Sequence, residues 1–130
     1  MMSRVTRFVN VDRALAGGAY SDAVDDGCYV FCAGQMAADD PAGVPLGEIE
    51  VETRAAMDLL GGVLAAAGLS FADVVRVGVF MTDLAESGRM NAIYATSFAP
   101  GRLPARTCVG VASLLGGCRI EIDCVARRPG

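Results

Sequence analysis

The segment RIEIDCVA, residues 119–126, constrains the fold more than any other stretch. Ile120, Ile122, Cys124 and Ala126 alternate with Arg119, Glu121 and Asp123. A period of two is that of a β-strand with one buried face, because successive side chains point to opposite sides of the pleat. A one-residue slip would carry the charges into the core, so the register is strongly specified. The chain therefore needs a sheet that is covered on one side.

The cover comes from two helical segments. Residues 48–68 carry Ala56, Leu59, Leu60, Val63, Leu64 and Ala67 at helical spacing, with Glu48, Glu50 and Glu52 in the first turns and Gly68 at the end. The pair Gly61-Gly62 costs about 1 kcal/mol per residue inside this helix, which close packing against a sheet would explain. A second helix presents Met90, Ile93, Tyr94 and Phe98 on one face and ends before Pro100-Gly101. Asp83 and Glu86 have the spacing of a capping box ahead of it.

Around the helices lie apolar strands. Arg4–Asn10, Ala19–Val24 and Cys28–Gly34 read as a meander, with Asp25-Asp26-Gly27 as a turn. Gln35–Gly47 is a long polar connection with two prolines, either a plain surface loop or a functional one. Asp73–Thr82 is a fourth strand, and two more follow within Leu103–Ala126. The order βββ-α-β-α-ββ implies a mixed sheet with both helices on one face. The short glycine-rich bend between the last two strands suggests a C-terminal hairpin.

One-sided helices allow the strand residues to be sorted. Thr107, Val109 and Val111 alternate with Arg106, Cys108 and Gly110. If the aliphatic sets face the helices, Arg106, Cys108, Glu121 and Asp123 share the opposite, bare face. That face is either solvated or, given 53% hydrophobic residues and a mean hydropathy of +0.43, covered by another subunit. Asp123 has no assigned role beyond an ion pair at such an interface.

Composition excludes several chemistries. The 130 residues suit a single domain spanning 1–130, with no linker and no internal repeat. Histidine is absent, which removes Ser-His-Asp triads, Cys-His pairs and three-His zinc sites. The five cysteines are odd in number and contain no CxxC, so they read as free thiols rather than disulfides or metal ligands. A net charge of −4 with scattered arginines offers no basic face for nucleic acid. No membrane span and no secretory leader is legible, so a cytoplasmic protein is expected.

The stretch LPARTCVGVA followed by RIEIDCVA resembles the signature of the RidA (YjgF-type) family of enamine/imine deaminases. AGQM, AAAGLSFADVVRVGVFMTDL and MNAIYATSF fit in the same order, so the resemblance covers nearly the whole chain. It implies an α+β, chorismate-mutase-like mixed sheet of about six strands with two helices on one face. In that fold the final strand inserts into the middle of the sheet, against the hairpin suggested locally. It also implies a homotrimer with active sites between subunits, acting on small imino or enamino acids of the 2-aminoacrylate type without a cofactor or metal.

Residue by residue, the resemblance makes Arg106 the group that grips a substrate carboxylate. Cys108 supplies a backbone carbonyl for the substrate nitrogen, and Glu121 orients the attacking water. Tyr20, Gly34 and Asn91 line the cleft. Each of these three also has a plainer reading: an interface aromatic, a strand-end turn and a helix-surface amide. Two departures stand out: Ala19 where many members have proline, and Ala33 where many have a hydroxyl residue. A non-catalytic trimer that binds small carboxylates is the alternative function.

Overall fold

The computed structural model describes residues 6–13 and 18–130. The six strands are β1 (Arg7–Val9), β2 (Ala23–Asp25), β3 (Tyr29–Gln35), β4 (Val74–Met81), β5 (Ala105–Gly110) and β6 (Ile120–Arg127). Helix α1 (Ile49–Ala66) follows β3, and the shorter α2 (Ser87–Tyr94) follows β4. The sheet order is β1-β2-β3-β6-β4-β5. β1, β2 and β3 form the expected meander, although residues 19–22 of the second expected strand precede β2 rather than belonging to it. The part of the first expected strand before residue 6 lies outside the described residues.

The C-terminal hairpin does not form. β6 enters between β3 and β4 and pairs antiparallel with both, while β5 runs parallel to β4 at the sheet edge. A central position satisfies both hydrogen-bonding edges of the most regularly alternating strand in the chain. Ile120 and Ile122 are fully buried, with Cys124 and Ala126 beside them. They meet Met57, Leu60, Val63 and Leu64 of α1 and Met90 and Tyr94 of α2. Full burial of one such aliphatic side chain is worth about 1.5–3 kcal/mol.

Gly68 ends α1 with φ of +79°, a conformation that glycine adopts without penalty. Gly61 is explained by an aromatic ring rather than the sheet. A Cβ there would stand 3.1 Å from Phe71. Nothing lies within 4 Å of such an atom at Gly62, and nothing in the structure explains that residue. The capping box ahead of α2 is half made. Asp83 accepts from the Ala85 amide at 3.0 Å, but Glu86 turns away to Arg119, 2.6 Å distant.

The acidic residues at the start of α1 do more than oppose the helix dipole. Glu52 is fully buried. Its Oε2 accepts from the Gly47 amide and its Oε1 from the Arg119 amide, both at 2.8 Å. One carboxylate thus ties the entry of α1 to the residue before β6. The connection after β3 is not a plain surface loop: Met36 and Ala37 pack with Ala55 and Cys118 in a second apolar cluster, and Asp39 is buried.

Candidate functional site between the sheet edge and the open face

The register assigns each strand residue to a face. Val77, Val79 and Met81 of β4 are buried against the helices, and they sit opposite Arg106, Cys108 and Gly110 of β5. Arg106 and Cys108 therefore lie on the helix side, not on the bare face. The aliphatic members of β5, Thr107 and Val109, take the open face with Glu121 and Asp123. The sorting rule fails here because the open face is itself apolar. Phe31, Phe80, Val109 and Val125 line a hollow of about 450 Å³ there, together with Arg76, Thr107 and Asp123.

On the helix side, Arg106 reaches the last turn of α2. Its Nη1 donates to Asn91 Oδ1 at 2.7 Å, and its guanidinium lies over the Tyr94 ring, 4.8 Å from the centroid. Asn91, Tyr94, Ala95, Leu103, Pro104 and Arg106 line an open hollow of about 340 Å³. The stem of Cys108 packs against the core, its Sγ 3.9 Å from Met81 Sδ. Its backbone points elsewhere. The Val111 amide donates to the Met81 carbonyl, so the backbone groups of Thr107, Val109 and Val111 face β4. Alternation then turns those of Arg106, Cys108 and Gly110 to the outer edge, which pairs with no strand among the described residues.

On the other face, Glu121 is half-buried beside Gly34, where β3 carries an irregularity between Cys32 and Gln35. Burial first, then the carboxylates of Asp39 and Asp123, push the Glu121 carboxyl above its ordinary range. Burial likewise raises Asp39, against the pull of the Met36 amide. Tyr20 is held by Arg13, whose guanidinium lies 4.2 Å from the ring centroid. Arg13 in turn pairs with the buried Asp22, Nε to Oδ1, at 3.1 Å. Burial raises the Tyr20 phenol; among its charged neighbours are Asp39, Asp22 and Glu121, which groups Tyr20 with the Glu121 side. Asp123 Oδ1 accepts from the Gly78 amide at 3.0 Å.

The six expected site residues therefore fall into two groups. Arg106, Cys108 and Asn91 gather at the sheet edge; Glu121, Gly34 and Tyr20 gather on the open face. Sequence reasoning missed Tyr94 and Asp39. Tyr94 reads as core because it sits on the apolar stripe of its helix, and it is indeed only 4% exposed. Asp39 lies in the connection after β3, where no periodicity marks a buried carboxylate. Among the described residues, no cluster of three or more His, Cys, Asp or Glu side chains is placed to hold a metal ion. No helix among them is long and apolar enough to cross a membrane.

Comparison with known proteins places these residues in a family. A profile of the family described as endoribonuclease L-PSP matches residues 11–128. The 2-iminobutanoate/2-iminopropanoate deaminase of Rattus norvegicus is 40% identical over 129 residues, covering 97% of this chain and 93% of the relative. The structure of E. coli TdcF with bound serine superposes with a TM-score of 0.86 at 31% identity, covering 95% of this chain and 99% of that one. The YjgF gene product of E. coli gives 0.86 at 30% identity, with the same coverage of 95% and 99%. The chain belongs to the RidA/YjgF family, known also as the endoribonuclease L-PSP family.

Proposed function

We propose that this protein hydrolyses reactive 2-imino and 2-enamino acids of the 2-aminoacrylate type to 2-keto acids and ammonia, at sites shared between copies of the chain in a homotrimer. The observation that carries the reading is the state of Arg106. Asn91 and the Tyr94 ring hold its guanidinium in an open hollow, beside a backbone edge on which the Cys108 carbonyl is free. A planar fork held this way suits a carboxylate, which it meets with two parallel charge-assisted bonds. The free carbonyl suits an imine or amine N–H. The rat relative named as a deaminase and the relative with bound serine support a small amino-acid-like ligand.

The reaction adds water across the C=N bond. A 2-enamino acid first becomes the imine by shifting a proton from nitrogen to its β-carbon. The Glu121 carboxylate then accepts a proton from the water as the water oxygen bonds to the imine carbon and the C=N electron pair moves to nitrogen, and it passes that proton to the nitrogen. Collapse of the tetrahedral adduct sends the hydroxyl proton to the nitrogen by the same carboxylate, breaks the C–N bond, forms the carbonyl and releases ammonia. Burial, with Asp39 and Asp123 nearby, raises the Glu121 carboxyl above its ordinary range, which favours its holding the proton between these transfers. Positioning supplies much of the remaining acceleration.

Arg106 and Glu121 occupy opposite faces of one sheet, with β4 between their strands, so one chain does not present both to one ligand. Two copies do so if the edge of one approaches the open face of the next. Exposed Phe8, Phe31 and Val109 give that face apolar surface to bury.

A coupled assay tests the reading. Imines are generated in situ by an amino-acid oxidase, and keto-acid release is followed with and without the protein. Acceleration is expected, and its loss in both Arg106→Ala and Glu121→Gln. Assembling the two inactive variants together should restore activity, because mixed oligomers contain sites with both wild-type residues. No acceleration for any imine would favour the non-catalytic carboxylate binder, whereas full turnover by Glu121→Gln would overturn the role given to Glu121.

A further inference from the structure

An uninterrupted run of packed rings leads from α1 to Arg106. The Gly61 position leaves room for Phe71, where a Cβ would come within 3.1 Å of the ring. Phe71 meets Phe98 edge-on, with centroids 5.5 Å apart. Phe98 meets Tyr94 at 5.0 Å, and the Arg106 guanidinium lies over Tyr94 at 4.8 Å. The Tyr94 hydroxyl is buried and has no hydrogen-bond partner among the described residues. It is the ring of this residue that meets Arg106.

We infer that Tyr94 is a positioning residue for ligand binding. Its ring, backed by Phe98 and Phe71, holds the Arg106 guanidinium in the plane that presents its free edge to a carboxylate. Asn91 and Tyr94 lie three residues apart on one face of α2, so a single helical turn supplies both restraints. Asn91 Oδ1 occupies Nη1, and the ring blocks one face of the guanidinium. Nε and Nη2 have no partner among the described residues and remain for the ligand. A guanidinium stacked on a largely dry ring is attracted by the ring quadrupole and loses less rotamer freedom when a ligand arrives.

The inference rests on the carboxylate-binding reading of Arg106, and the test separates the two. Binding of serine and of a 2-keto acid is measured by calorimetry, alongside imine turnover, for Arg106→Ala, Tyr94→Phe, Tyr94→Leu and the distant core variant Val30→Ala. Loss of binding in Arg106→Ala upholds the carboxylate site; unchanged binding there would sink that reading itself. With the site upheld, Tyr94→Phe should bind as wild type because the ring remains. Tyr94→Leu should weaken carboxylate binding and raise KM by roughly 3- to 30-fold, with kcat little changed. Val30→Ala, destabilised without touching the stack, should keep wild-type KM. Wild-type affinity in Tyr94→Leu overturns the inference.

Should the leucine variant fail to fold, NMR of the wild-type protein decides the matter. The Arg106 Nε–H signal, identified by its loss in Arg106→Lys, should be shifted by the ring current and show restricted motion before ligand is added. A signal with the shift and mobility of a free arginine side chain overturns the inference equally.

Discussion

The carboxylate of Glu121 occupies the space that a side chain on Gly34 would fill. A Cβ at Gly34 would stand 2.6 Å from Glu121 Oε2 and 2.8 Å from its Cγ, closer than real carbon atoms approach. A side chain at Gly34 would therefore have to displace the Glu121 carboxylate. Gly34→Ala should swing the carboxylate away while leaving the core intact. Displacing a catalytic group by about 1 Å can cost on the order of 100-fold, so kcat/KM should fall by one to two orders of magnitude with a small change in Tm. Steady-state kinetics and a melting curve on the same sample check this. Undiminished turnover would show that Glu121 does not need its present position.

Glu121 also makes the site cost stability. Its folded-state carboxyl is raised above the ordinary value of 4.5 by burial and by Asp39 and Asp123. Between that ordinary value and the raised one, the folded state binds more protons than the unfolded state, so stability falls as pH rises through the window. Above it, the charged form remains penalised. Glu121→Gln should melt higher than wild type at pH 7, and the gain should shrink as the pH is brought below 4.5. Activity should fall in the same variant. Melting temperatures from pH 4 to 8 for both proteins test the sign.

Asp25 runs the other way. It is 3% exposed, and Arg128 donates to its Oδ2 from Nε at 3.0 Å. The Arg128 bond, together with the Gly27 amide, holds the Asp25 carboxyl below its ordinary 3.8. That stabilisation is fully present above pH 3.8 and is lost as pH falls through the lowered folded value. Arg128 Nη2 also donates to the Ala67 carbonyl at 2.6 Å, which fastens the chain end to the end of α1. Arg128→Ala leaves a buried carboxylate unpaired and should cost about 3 kcal/mol. Urea unfolding at pH 7 measures this, and a loss below 0.5 kcal/mol would mean that the tail contributes little.

Glu52 clamps the chain just ahead of Glu121. Its two backbone acceptor bonds fix Gly47 and Arg119, and Arg119 lies two residues before Glu121. Glu52→Ala strands both amides, each worth about 1–3 kcal/mol when left unsatisfied. Stability should fall by about 3 kcal/mol. Amide exchange should speed up at Arg119 and Gly47 before it does in the centre of β6. Uniform acceleration along β6 would contradict a local clamp.

The alternation at residues 119–126 was enough to place a strand, its buried face and the outward direction of Glu121, because a period of two admits no other economical burial. The helical stripe of α1 and its glycine stop were equally legible, since each depends on local geometry. Arg106 was legible as a residue of interest but not by its face. In β5 both faces carry small or aliphatic residues, so alternation does not say which side meets the helices. Only the parallel register with β4 decides that, by setting Arg106 opposite the buried Val77 and Cys108 opposite the buried Val79. The family resemblance named Arg106 and Glu121 together, and it gave β6 its central place where the short bend had suggested a hairpin.

The sequence by itself determined the order of elements, the single covered face of the sheet, the absence of imidazole chemistry and the carboxylates available for proton transfer. The tertiary structure alone decided that Arg106 stacks on Tyr94 and that Glu121 fills the space at Gly34. It also separated these two groups onto opposite sides of the sheet. The physical reason is that strand pairing and ring packing join residues far apart in the chain. Local periodicity fixes which residues share a face within one strand, and only long-range register fixes which faces meet.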